Sequence, residues 1–153
     1  MVSKTNLGSK KILFVCVANS ARSQMAEALA KDILSENYEI RSAGSHPSGH
    51  IHEVARKVLA EVGLDMAGQA SKDIEDLPQD FMNNLDFMVT LCAEEVCPVI
   101  PTKAQRLSWA LPDPAAVAEP EQLDAFRNIR DRIKEKLGNS SLFTSHAAKK
   151  FEN

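Results

Sequence analysis

The amino-acid sequence predicts an α/β fold: a three-layer sandwich in which a four-stranded parallel sheet is flanked by helices. Three observations point there. Apolar runs of strand length alternate along the chain with longer stretches of helical periodicity. The first such run, Ile12-Leu13-Phe14-Val15, is apolar at successive positions, as a parallel strand covered on both faces must be. The residues with the clearest chemical promise, Cys16, Cys92 and Asp113, each follow a predicted strand. Ligands of such sheets bind beyond the C-terminal ends of the strands, so one rim gathers all three.

The elements follow in order. Residues 1–10 form a polar, flexible lead-in. Residues 11–17 form the first strand. The first helix covers 20–37, with Met25, Ala26, Leu29, Ala30, Ile33 and Leu34 on one stripe. Residues 38–43 form the second strand, ended by Gly44. The second helix covers 50–62 and stops at Gly63 in the C′ position. In 64–84, Ser71 is expected to cap a short helix reaching Leu77, before Pro78. The third strand is 85–91, the fourth 105–109, and 92–101 between them is a loop or irregular helix. The last helix covers 118–137, with Leu123, Phe126, Ile129, Ile133 and Leu137 inward and Gly138 as its stop.

A chain of 153 residues accommodates one sizeable core. A single catalytic domain is expected over 11–138, with a polar C-terminal tail over 139–153. The net charge of −3 argues against a nucleic-acid partner. No apolar run reaches membrane-spanning length, and the N-terminus lacks the apolar segment of a secretory signal. A cytoplasmic monomer is expected. Three cysteines cannot close a disulfide framework, and in a reducing compartment they read as working thiols.

The segment around which the chain is organised is Cys16-Val17-Ala18-Asn19-Ser20-Ala21-Arg22-Ser23. It joins the first strand to the first helix. Backbone N–H groups of such a turn converge, and the helix dipole adds positive potential, which makes an anion cradle from Val17, Ala18, Asn19, Ser20, Ala21 and Arg22. A thiol at its edge ionises more readily than a free one. Asn19 tolerates the left-handed backbone that a tight nest needs. Arg22 can grip two oxygens of a tetrahedral oxyanion with its planar fork. A nucleophile, a nest and a clamp suit attack on a phosphate-like centre. The plain alternative is a buried strand-end thiol.

Cys92 and Cys97 stand on either side of four residues. On a regular helix that separation rises ~7.5 Å, beyond the ~7 Å Cα limit for a disulfide. A bond between them therefore requires a loop; otherwise both are packing residues. Asp113, between two prolines, either protonates a leaving oxygen at the cradle or simply starts a turn. His46, His50 and His52 lie close in sequence, but without a Cys-x-x-Cys they read as a solvated cluster. No metal or cofactor is expected.

Residues 16–28, Ser42-Ala43-Gly44, Thr90-Leu91-Cys92, Val96-Cys97-Pro98 and Asp113-Pro114-Ala115 resemble the thioredoxin-coupled arsenate reductases. These share the low-molecular-weight protein tyrosine phosphatase fold, and the resemblance covers residues 11–137. It implies a mechanism. Cys16 attacks arsenate held by the loop and Arg22, Ser23 donates a hydrogen bond to the Cys16 thiolate, and Asp113 protonates the leaving oxygen. Cys92 then attacks Cys16, and Cys97 attacks Cys92 to leave a disulfide for thioredoxin or a related thiol carrier. The chain departs from the pattern at points: Cys92 and Cys97 are closer together than is frequent in that family, Ala21 replaces a cysteine common in relatives, and Ser108-Trp109-Ala110 replaces a frequent His-Trp-Gly. Some of these reductases bind a structural potassium ion beside the loop, and Asn19, Glu27 and Ser42 match that pattern. Two rivals remain: a phosphatase that leaves Cys92 and Cys97 idle, and a non-enzymatic thiol sensor or metalloid-binding protein. Ala115 and Ala116 stand where phosphatases often carry tyrosines, which weakens a phosphotyrosine substrate.

Overall fold

The computed structural model describes residues 10–34, 36–93 and 99–139. Its strands are β1 (Lys10–Cys16), β2 (Tyr38–Gly44), β3 (Phe87–Thr90) and β4 (Gln105–Ser108). They form one parallel sheet in the order β2-β1-β3-β4. The helices are α1 (Arg22–Ile33), α2 (Glu53–Ala60), α3 (Gln79–Asn83) and α4 (Gln122–Asn139). The chain leaves β1 for β2 on one side and later returns to β3 on the other. The loops after β1 and β3 therefore diverge, and a crevice opens between them at the C-terminal edge of the sheet.

Strand periodicity splits the core in two. Ile12, Phe14 and Cys16 face one way, into a cluster with Met25, Leu29, Val58, Leu59, Phe126 and Ile133. Leu13 and Val15 face the other way, onto Phe81, Leu85, Met88 and Ile100. Helices α1, α2 and α4 thus cover one face and α3 the other. Each fully buried large apolar side chain contributes about 1.5–3 kcal/mol.

The predicted boundaries move for identifiable reasons. α1 begins at Arg22, not Ser20, because 17–21 stay in the cradle; Ala21 stands at the N-cap and offers no side-chain cap. It ends at Ile33, since Leu34 is extended. α2 begins after His52, whose ring nitrogen accepts from the Val54 N–H. Gly63, at φ 81°, closes that helix: Leu64 N–H bonds Leu59 C=O and Gly63 N–H bonds Ala60 C=O. Ser71 caps no helix. Asp73 caps a 3-10 turn over Ile74–Asp76 instead, and Ser71 is drawn off to the cradle loop. The short α3 follows Pro78. α4 starts four residues later than predicted, at Gln122, because Glu119 precedes a proline and such residues avoid the helical region. It then runs through Gly138, which does not stop it. A helical glycine costs about 1 kcal/mol, less than the buried Ile133 and Leu137 of the same turns contribute.

One surface contact joins α2 to α4. Glu61 lies 2.7 Å from Arg127 Nη2 and 2.8 Å from Arg130 Nη1. These guanidinium hydrogen bonds hold its carboxyl down at about 2. A depressed carboxylate contributes stability above its ordinary range and loses it as pH falls through the folded value. The melting-temperature gap between wild type and Glu61→Gln is therefore expected to narrow as pH falls from 6 towards 2. A gap constant with pH would refute the contact's role.

Candidate active site

The 17–21 loop is held from outside by its carbonyls. His46 N–H donates to Val17 C=O, Ser48 N–H and Ser71 Oγ to Ala18, Gln24 Nε2 to Asn19, His52 N–H to Ser20, and Met25 N–H to Ala21. In a trans peptide the N–H opposes the C=O. Five outward carbonyls therefore turn the N–H groups of residues 18–22 inward, towards the space beside Cys16. Asn19 adopts φ 48°, the left-handed backbone expected of it. Gly44 lies beneath the loop: a Cβ there would sit 2.3 Å from Val17 O, which forbids any side chain. Gly44→Ala must shift the cradle, and a displacement of this size at a reacting centre costs about 10²-fold in rate. Iodoacetamide labelling of Cys16 and phosphate binding should both weaken; an unchanged variant would show that the loop gives way freely.

Cys16 is a buried free thiol, 2.9 Å from Ser23 Oγ. The bonds around Ser23 leave it able to donate to that sulfur. Asn19, 0 % exposed, has its Oδ1 fixed by donors: Lys72 N–H and Gln24 Nε2, both at 2.9 Å. Its Nδ2 must then donate, to Ser23 Oγ at 2.8 Å and Ser42 Oγ at 3.1 Å. Ser23 Oγ accepts from Asn19 and keeps its own proton, which it can donate to the Cys16 sulfur. Gln69 Nε2 donates to Gln24 Oε1 at 2.8 Å and fixes the next amide out.

Arg22 is 4 % exposed. Its Nη1 donates to Leu111 C=O at 2.9 Å and to Leu91 C=O at 3.3 Å. Those carbonyls belong to the loops that carry Asp113 and Cys92. Arg22 therefore ties three strand ends together. Asp113 Oδ2 lies 3.9 Å from Arg22 Nη2, while Oδ1 accepts from Ala115 N–H at 3.0 Å. Asp113 starts the 3-10 turn Pro114–Ala116, and its other oxygen faces the clamp. Cys92 is 6 % exposed and disulfide-bonded. Cys92 itself lies outside any helix. Cys97 lies outside the described residues.

The histidines do not converge. His46 and His50 are exposed, and His52 caps α2 and packs on Phe126 with ring centroids 4.7 Å apart. Among the described residues no cluster of three His, Cys, Asp or Glu could hold a metal. The side chains matching the potassium pattern do not fit an ion. Asn19 turns its NH₂ towards Ser42, and Glu27 is closed by Ser42 Oγ and by the Lys31 ammonium, each at 2.6 Å.

Cys16, Asn19, Arg22, Ser23 and Asp113, all named from the sequence, are brought to one rim. The sequence did not point to the Gln24 and Gln69 amides beside Asn19 or to the closeness of Gly44. A signal was present: Ser23, Gln24 and Glu27 are polar residues on a helix buried nearly all round.

Residues 11–150 match the low molecular weight phosphotyrosine protein phosphatase family. The chain is 40% identical over 134 residues to an arsenate reductase of Oceanobacillus iheyensis, covering 84% of this chain and 94% of the relative. It is 39% identical over 133 residues to the arsenate reductase of Bacillus subtilis, covering 84% and 93%. Among solved structures, an arsenate reductase in the phosphate binding state superposes with a TM-score of 0.74 at 33% identity, covering 90% of this chain and 98% of that one. A thioredoxin-dependent arsenate reductase of Corynebacterium glutamicum gives a TM-score of 0.66 at 28% identity, covering 97% and 67%.

Proposed function

The chain belongs to the low molecular weight phosphotyrosine protein phosphatase family, and from that premise we propose that it is an arsenate reductase working through three cysteines. The observation that carries this reading is the pairing of redox states at one rim. Cys16 is a free thiol under the cradle. Cys92, one residue beyond the Leu91 carbonyl that Arg22 holds, is disulfide-bonded. A phosphatase has no use for the second.

The reaction follows from the geometry. Arsenate enters the cradle and is gripped by the inward N–H groups of residues 18–22 and by Arg22. The Cys16 thiolate attacks arsenic, an arsenate oxygen leaves, and Asp113 supplies its proton so that it departs as water. The Cys92 thiolate attacks the Cys16 sulfur. The S–As bond breaks with its electron pair remaining on arsenic, which leaves as arsenite. A Cys16–Cys92 disulfide remains, and Cys97 attacks Cys92 to free Cys16. Two thiols have supplied the two electrons. A thiol carrier of the thioredoxin type reduces the Cys92–Cys97 disulfide, and such chemistry belongs to a reducing cytoplasm. The protein acts as a monomer. No helix among the described residues is long and apolar enough to cross a membrane.

The test is a single turnover. Fully reduced protein is mixed with arsenate without reductant, quenched and mapped by mass spectrometry. A Cys92–Cys97 disulfide with one equivalent of arsenite is expected. Three free thiols on a folded protein with reactive Cys16 would favour the phosphatase. Slow phosphoester hydrolysis accompanies either reading, because Cys16, Arg22 and Asp113 suffice for it and the neighbouring solved structure is of a phosphate-binding state.

A further inference from the structure

Beyond Asn19 the hydrogen bonds continue inward to the side of α1 away from the cradle. Glu27 is 5 % exposed, and a buried carboxylate needs a countercharge. Lys31, one turn further along α1, supplies it: Nζ is 2.6 Å from Glu27 Oε2. The other oxygen, Oε1, accepts from Ser42 Oγ at 2.6 Å. With its proton committed to Glu27, Ser42 presents an oxygen lone pair to Asn19 Nδ2. The same amide nitrogen donates to Ser23, and Ser23 Oγ is hydrogen-bonded to Cys16 Sγ. A continuous chain of hydrogen bonds thus joins the Lys31 ammonium to the Cys16 sulfur.

We propose that Lys31 is a positioning residue for Cys16, acting through Glu27, Ser42, Asn19 and Ser23. Its ammonium braces the Glu27 carboxylate, whose Oε1 holds the Ser42 hydroxyl to which Asn19 Nδ2 donates, and this keeps the Asn19–Ser23 pair in place beside Cys16. Bonds in such a chain polarise one another, so loss at one end is felt at the other.

Other charges line the same cavity of about 350 Å³: Glu39, Arg41 and Lys72. Arg41 pairs with Glu39 at 3.1 Å and lies over the Phe81 ring. Lys72 Nζ donates to Ala70 C=O at 2.9 Å, and burial works against its charge. Neither shares the contact that Lys31 makes with Glu27.

The test reads Cys16 alone. Carboxamidomethylation of Cys16 by iodoacetamide is followed by mass spectrometry at pH 6 and pH 10, on variants whose melting shows them folded. Lys31→Met is expected to label at least about threefold more slowly at pH 6 and at the wild-type rate at pH 10. Lys31→Arg should restore the rate. Glu27→Gln supplies the sign. A purely Coulombic effect would speed Cys16 when a negative charge is removed, whereas the positioning chain slows it. Wild-type labelling of folded Lys31→Met at pH 6, or faster labelling of Glu27→Gln, overturns the proposal. Should Lys31→Met fail to fold, Glu27→Gln decides by that sign. The proposal requires only that Cys16 is the nucleophile. Because no arsenate is used, its failure is distinguishable from failure of the reductase reading.

Discussion

Cys92→Ser is expected to abolish multiple-turnover arsenate reduction while slow phosphoester hydrolysis persists. The physical reason lies in the second chemical step, after the first attack. Cys16, Arg22 and Asp113 remain, so the Cys16–arsenic bond still forms. A serine hydroxyl cannot displace arsenic by attacking sulfur, because that step needs a thiolate. The adduct can only hydrolyse back to arsenate, and no electrons reach arsenic. Cys97→Ser should stall one step later, with a Cys16–Cys92 disulfide that mass spectrometry would detect after one arsenite equivalent. The measurement is arsenite formed per enzyme over many equivalents of thioredoxin. Wild-type turnover by both variants would sink the relay.

Arg22→Lys is expected to remove both activities together, which separates it from the cysteine variants. The guanidinium holds two carbonyls through Nη1 and faces Asp113 through Nη2. A lysine ammonium is a point charge without the planar fork. It cannot brace Leu91 and Leu111 and also hold an oxyanion. Losing a donor to a developing oxyanion costs about 10²–10³ in kcat. Leu91 C=O keeps the Leu111 N–H at 3.3 Å, but Leu111 C=O loses its Arg22 donor, at a cost of about 1–3 kcal/mol in stability, so the melting temperature should fall as well. Rates of arsenate reduction and phosphoester hydrolysis, measured beside a thermal melt, check both parts. A variant that keeps either activity within a few-fold of wild type would show that the backbone cradle alone holds the anion.

The β1–loop–α1 unit was legible because its determinants are local. An apolar strand, a short polar loop with Cys16 and Asn19, and a helix stripe lie within one continuous stretch. Local rules also identified Asn19 as left-handed and Gly63 as a helix stop. The alternation of strands and helices predicted the parallel sheet, and the strand ends predicted the rim.

Tertiary structure decided the rest, because the deciding groups come from far along the chain. Arg22 is held by carbonyls 69 and 89 residues away, and Asn19 by a backbone N–H 53 residues away. Ser71 looks like a helix cap in isolation, yet its hydroxyl is taken by Ala18 across the same 53 residues. Gly138 reads as a stop until Ile133 and Leu137 are buried beside it. By itself the sequence determined which residues could be nucleophile, cradle and clamp, since those are properties of side-chain chemistry and short-range backbone. Only the packed fold decided the direction of the Asn19 hydrogen bonds beside Cys16, since an amide takes its role from whichever donor or acceptor the fold brings to it.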